Sequence, residues 1–154
     1  MYETEGTAAL LDALAGMTRL QDLRLSLRRL DTVSTAPQRF AALTASTHLT
    51  RLDIRPENRN PLVQGAVQYM FPAGRQMPML EGLAISPEVT DFDWPQGCEW
   101  CIDSADIHSI GSCCTGLLWL DIANAVRSGA VVCSDGIRSA LLAFPALLAF
   151  PTEQ

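Results

Sequence analysis

Lysine is absent from this chain, and all eleven of its basic side chains are arginine. The guanidinium fork suits two-point contact with carboxylates better than an ammonium does, but a basic complement without any lysine is read first as codon bias. Basic residues are also outnumbered 11 to 17, for a net charge of -6 and an isoelectric point near 4.7. Neutralising nucleic-acid phosphates requires clustered positive charge. Nucleic acid is therefore excluded as the expected partner, and protein takes its place.

Histidine is scarce too. His48 and His108 stand 60 residues apart, with no Gly-x-Ser-x-Gly elbow and no glycine-rich phosphate loop to work with. Each is read as a solvated or helix-end residue, so no catalytic residue, no cofactor and no enzymatic activity are expected. Long apolar runs are missing as well. The most apolar stretch, Ala140 to Phe150, is interrupted by Pro145 and falls well short of the roughly 20 residues a membrane-spanning helix needs. The opening residues Met1, Tyr2, Glu3, Thr4 and Glu5 lack the basic start and apolar centre of a secretory signal. These absences predict no membrane span and a cytoplasmic location.

What is present is enough apolar material for a core, 48% of 154 residues, which predicts one domain over residues 1–154. Its organisation is periodic. Leu117, Leu118, Trp119, Leu120, Asp121 and Ile122, preceded by Cys114, form one copy of a pattern that occurs upstream three times. The earlier copies are Met17, Leu20, Leu23, Leu25; Ser46, Leu49, Leu52, Ile54; and Met77, Leu80, Leu83, Ile85. Within each copy the apolar residues alternate as a strand with one buried face requires. Before each copy the spacing predicts a helix: Thr7 to Met17, Gln38 to Ala45, Val63 to Phe71 and Ile102 to Cys113. The predicted strands run Leu20 to Leu25, Leu49 to Ile54, Leu80 to Ile85 and Leu117 to Ile122. A fifth helix is expected over Asp135 to Phe144. The first anchors, at 20, 49, 80 and 117, give periods of 29, 31 and 37 residues, within the range that marks repeat architectures. Leu147 and Phe150 continue the frame as a truncated fifth copy.

Four in-frame copies of Leu-x-x-Leu-x-[Leu/Ile], each led by a helix, resemble the leucine-rich repeat family in its irregular intracellular form, over nearly the whole chain. The resemblance implies an α/β solenoid, with a short parallel β-sheet on the concave side and helices on the convex side. It further implies that the domain is part of a longer solenoid. The family's Asn or Cys three residues after the last strand anchor is replaced here by Arg28, Glu57, Glu88 and Ala125, which predicts looser loops after the strands.

Energetics also favour stacking. Ordering a 30-residue backbone costs on the order of 30 to 60 kcal/mol, while each buried anchor returns about 1.5 to 3 kcal/mol. One copy alone cannot fold, and neighbours must bury each other's leucines. The residues between anchors then form columns across the strands. The first is Asp22, Arg51, Gly82, Trp119; the second is Arg24, Asp53, Ala84, Asp121; the third is Ser26, Arg55, Ser86, Ala123. Strands in register lie ~4.8 Å apart, so Asp22 with Arg51 and Arg24 with Asp53 are expected as cross-strand charge pairs, worth about 0.2 to 1 kcal/mol each. Gly82 and Ala84 are expected to leave a flat floor. The candidate partner-binding residues of the concave face are Arg51, Arg55, Trp119 and Asp121. Trp119 leads, because tryptophan anchors carry a large share of interface energy; the alternative is that the apolar tail or a further repeat covers it.

The insert from Glu88 to Asp106 carries Trp94 and Trp100 among six carboxylates and is either a partner-contacting loop or a lengthened repeat with its aromatics tucked in. Cys98, Glu99, Trp100 and Cys101, followed by Cys113 and Cys114, raise a zinc site. The frame argues otherwise, since Cys114 shares its position with Met17 and Met77 and belongs in the core. Five cysteines, an odd number, fit a disulfide framework poorly, and free thiols are the default in a cytosolic chain.

The expected function is protein–protein interaction through the concave strand face. The alternative is a structural piece of a larger leucine-rich repeat protein without independent activity, such as a ubiquitin-ligase substrate arm or a cytoskeletal, ciliary or axonemal component. The ligase option is the less expected of these, because no F-box-like segment is read ahead of the repeats in this sequence. A zinc-binding or redox protein is the minor third reading. Elemental analysis of the purified chain is expected to find well below one equivalent of zinc, and a stoichiometric content would restore the metal reading.

Overall fold

A computed structural model of the chain describes residues 4–26, 35–55, 65–85, 102 and 104–122. The chain is mixed α/β. Helix α1 (Thr4–Ala15) leads to strand β1 (Asp22–Ser26), a 3₁₀ helix (Pro37–Thr44) to β2 (Arg51–Arg55), α2 (Ala66–Met70) to β3 (Gly82–Ile85), and α3 (Ser104–Cys113) to β4 (Trp119–Asp121). The four strands form one parallel sheet in the order β1-β2-β3-β4. The helical segments pack in the same succession: α1 on the 3₁₀ helix, that helix on α2, and α2 on α3. The predicted fifth helix and the fifth copy at Leu147 lie outside the described residues. So do Arg28, Glu57, Glu88 and Ala125, and most of the insert with Trp94 and Trp100.

The register follows the sequence frame. Leu23 pairs with Leu52, Leu52 with Leu83, and Leu83 with Leu120, while Leu25 pairs with Ile54 and Ile54 with Ile85. These residues and the leading Leu49, Leu80 and Leu117 face the helices. With Phe40, Leu43, Met70, Phe71, Ile107 and Ile110 they make one core. Burial is most complete in the middle, where Leu52, Ile54, Leu83 and Ile85 are wholly enclosed, whereas Leu20, Leu25 and Leu120 at the two outer strands are only partly covered. On α1 the buried side is Thr7, Leu11 and Leu14, a spacing of four and three that keeps one stripe inward.

Two expectations need adjustment. Each strand starts two residues later than its first anchor, because that anchor closes a turn. The N–H groups of Leu20, Leu80 and Leu117 donate to the carbonyls of Met17, Met77 and Cys114, at 3.4, 3.2 and 3.2 Å. In the second copy Ser46 occupies the equivalent place: its Oγ donates to the Leu20 carbonyl at 2.7 Å and accepts from the His48 N–H at 3.2 Å. The second helix is 3₁₀ rather than α. Its buried side chains Phe40 and Leu43 are three apart, the spacing that a three-residue turn aligns. Bonds from Arg39 N to Ala36 O and from Ala45 N to Ala42 O span three residues each.

The strand copies are fastened by a recurring device. The Gln21 carbonyl accepts from the N–H groups of both Thr50 and Arg51, at 2.8 and 3.2 Å. The Thr50 carbonyl accepts from Glu81 and Gly82, at 2.9 and 3.0 Å, and the Glu81 carbonyl from Leu118 and Trp119, at 2.8 and 2.9 Å. The layers come close enough at one point to forbid a side chain. A Cβ on Gly116 would stand 2.7 Å from the backbone oxygen of Pro78, whereas one on Gly6 in α1 would meet nothing within 4 Å. Gly116→Ala is expected to lower unfolding free energy by about 1 to 3 kcal/mol as the two turns are forced apart. Gly6→Ala should be neutral or gain up to about 1 kcal/mol of helix stability. Urea midpoints of the two variants check the contrast, and a harmless Gly116→Ala would contradict the close approach.

Candidate binding face

The side chains of the sheet that point away from the helices form the predicted columns in register: Asp22, Arg51, Gly82 and Trp119, then Arg24, Asp53, Ala84 and Asp121, with Ser26 beside Arg55. Neither expected cross-strand pair, Asp22 with Arg51 or Arg24 with Asp53, closes to an ion pair among the described residues. Arg24 folds back on Asp22 of its own strand, Nε to Oδ1 at 3.2 Å and Nη2 to Oδ2 at 3.1 Å. Arg55 does the same to Asp53, at 3.0 and 3.4 Å. Residues two apart on a strand share a face, and an arginine stem is long enough to reach back and present its fork. Asp22 holds the Arg24 guanidinium pKa above its ordinary value, through the hydrogen bond first and their mutual attraction second. Both partners of that pair are open to solvent, so it adds little to stability.

Arg51 takes another course. With Asp22 engaged by Arg24, its guanidinium carbon lies 5.6 Å from the centroid of the Trp119 ring. The two residues stand two strands apart, with Gly82 between them in register. A Cβ at position 82 would sit 3.5 Å from Trp119 Cε3 and 3.7 Å from Arg51 Cγ. Both are ordinary van der Waals separations, so a methyl group would fit at position 82, and the short residue leaves the space between cation and ring open. Sequence reasoning placed all three residues in one column without drawing this contact; the available signal was a side chain of zero length between a long cation and an aromatic.

Around this contact lies an open groove of about 580 Å³, lined by Asp22, Thr50, Arg51, Glu81, Leu118 and Trp119, with Gly82 as its floor. Leu118 and Trp119 are 43% and 42% exposed, which makes this end of β4 the apolar part of the face. Arg51 Nε is shut off from solvent and forms no hydrogen bond among the described residues. The rest of the face is less open than its composition implies. Ala84 is fully buried and Asp53 nearly so, so the expected flat floor of Gly82 and Ala84 reduces to Gly82. Ala84 stands in register between the longer side chains of Asp53 and Asp121.

The four candidate residues therefore divide. Arg51 and Trp119 meet in one groove, Arg55 is engaged by Asp53 beside a second depression of about 320 Å³, and Asp121 is partly buried on the next column. Trp94 and Trp100 lie outside the described residues.

The thiols in view belong to the core. Cys113 and Cys114 are free and buried; the Cys113 thiol donates to the Pro72 carbonyl at 3.3 Å. Burial raises the pKa of both, and for Cys114 pushes it up to about 12. Among the described residues no three histidine, cysteine or acidic side chains converge as a metal site would require; Cys98, Cys101 and Cys133 lie outside them. The chain matches no known protein family, no curated protein and no solved structure.

A raised folded-state thiol pKa has a sign that can be checked. The unfolded chain loses the Cys114 proton from ~8.5 upward, while the folded chain keeps it until about 12. The contribution is complete below the unfolded value and is lost as pH rises towards the folded one. Unfolding free energy measured in urea is expected to fall with pH over that window, and to fall less steeply in Cys114→Ala. Identical slopes would contradict the assignment.

Proposed function

We propose that the chain is a protein-binding module, built as a leucine-rich-repeat solenoid of the irregular intracellular kind and acting in the cytoplasm without catalysis of its own. Its binding surface is the strand face turned away from the helices, at the groove where Arg51 crosses Gly82 to Trp119. The solenoid part of the reading is supported by the sequential parallel strands and by the carbonyl that each copy offers to two N–H groups of the next. Among the described residues no helix is long and apolar enough to cross a membrane.

One observation carries the functional part. An indole and a neighbouring leucine stand exposed beside a guanidinium whose Nε lacks an acceptor among the described residues. Tryptophan and arginine are the side chains most often found at interface hot spots, where their desolvation on binding concentrates the energy. The convex side offers a matched control, since Tyr69 on α2 is similarly exposed at 41%. Affinity capture with the immobilised chain should lose its specifically retained proteins in Trp119→Ala, with affinity down by about tenfold or more as a hot-spot loss implies. Tyr69→Ala should leave them bound. The reverse pattern would move the binding surface to the helices and end this reading.

A further inference from the structure

The geometry points to a partner segment bearing a carboxylate beside a large apolar residue as the occupant of the groove between β2 and β4. This inference rests on the binding reading above and supplies its chemistry. Arg24 and Arg55 are each committed to a carboxylate through two bonds. Arg39 is held by Asp12 at 3.1 Å, and Arg75 donates to the Thr44 carbonyl. Arg51 differs: it stands in the groove with Trp119 beside its guanidinium and Gly82 beneath, and its Nε forms no hydrogen bond among the described residues.

An arginine donor removed from water without an acceptor is unfavourable. Nε is closed to solvent as Arg51 lies, so an incoming acceptor reaches it only as the side chain turns in the groove. A carboxylate matches the fork with two parallel bonds. The surrounding charges select among anions. Glu81 and Asp22 line the same groove, so a phosphate dianion meets roughly twice the repulsion a single carboxylate does, in a chain whose net charge is already -6. A neutral carbonyl fills one donor site and leaves the rest of the fork unmatched. The exposed wall of Leu118 and Trp119 is complementary to an aliphatic or aromatic neighbour of that carboxylate. The groove is thus built for an acidic side chain adjacent to an apolar one, presented by another protein.

Three capped pentapeptides test this on the full chain: glutamate between two leucines, the same peptide with glutamine, and the same with phosphoserine. The readout is the indole N–H resonance of Trp119 in proton–nitrogen NMR spectra, assigned as the one missing from Trp119→Phe. The glutamate peptide should shift that resonance saturably. The glutamine peptide should bind at least about tenfold more weakly, the phosphoserine peptide more weakly than glutamate, and added salt should reduce glutamate binding. Arg51→Met, which keeps the apolar stem, should level glutamate and glutamine. Equal titration by glutamate and glutamine in the unmodified chain overturns the carboxylate but leaves Trp119 as a binding residue. Tighter binding of phosphoserine reassigns the groove to phosphorylated partners and overturns it as well. If no peptide moves the Trp119 resonance the inference falls, and if Trp119→Ala also spares capture, the binding reading falls with it.

Discussion

The two-for-one carbonyl is the constraint on which the rest of this structure depends. Gln21, Thr50 and Glu81 each sit just before a strand, and each oxygen takes two consecutive N–H groups from the copy that follows. The oxygen thereby fixes two consecutive N–H groups at the entry point of the next strand. Once Thr50 and Arg51 are placed on Gln21, Leu52 can only lie beside Leu23, and the same holds for Leu83 on Leu52 and Leu120 on Leu83. A one-residue slip would turn every leucine outward. The Thr50 hydroxyl adds a further bond to the Gln21 carbonyl at 3.0 Å, and the Thr44 and Arg75 side chains tie the second copy to the third through the carbonyls of Met70 and Thr44.

A register held by the backbone leaves the outward side chains free to vary, and on this sheet they vary in kind from edge to edge. On β1 and β2 the residues Arg24, Asp22, Arg55 and Asp53 close on one another along their own strands, which spends their charge locally. On β3 the outward positions are Gly82 and Ala84, and on β4 the first is Trp119. Arg51 sits where the two regimes meet. Its nearest carboxylate in register, Asp22, is occupied by Arg24, so its contact is with the ring two strands away. One glycine and one prior ion pair thereby separate a self-neutralised half of the face from a half that presents a cation and an indole.

Much of this was legible in the chain before the structure. The Leu-x-x-Leu-x-Ile spacing identified the inward residues and therefore the register, because a period of two on a strand leaves no alternative once the apolar side is known. Cys114 was placed in the core by its alignment with Met17 and Met77; Cys114 and Met77 are fully buried, whereas Met17, in the first copy, is 48% exposed. What escaped has specific causes. Column membership states which residues are neighbours but not which way a long side chain leans, so Arg24 was assigned across strands to Asp53 and Arg55 was left for a partner, when each has a carboxylate two residues back. The strand starts were misjudged because Leu20, Leu80 and Leu117 carry a strand-like pattern while serving in a turn. Ala84 was read as floor because burial of a methyl group depends on its taller neighbours, which composition alone does not rank.

The succession of contacts also bears on how such a chain tolerates change in length. Among the described residues each strand lies beside the next strand in sequence order, and each helix beside the next helix. Register partners are separated by 29, 31 and 37 residues from one strand to the next, and the pairing of Gly82 with Trp119 is as regular as that of Asp22 with Arg51. Closing a loop of 37 residues rather than 29 costs only about 0.2 kcal/mol more by the logarithmic scaling of loop entropy. The strands therefore count only their own anchors: β4 keeps its register on β3 across the longest of the three separations, and the face made by Arg51, Gly82 and Trp119 is as regular there as elsewhere.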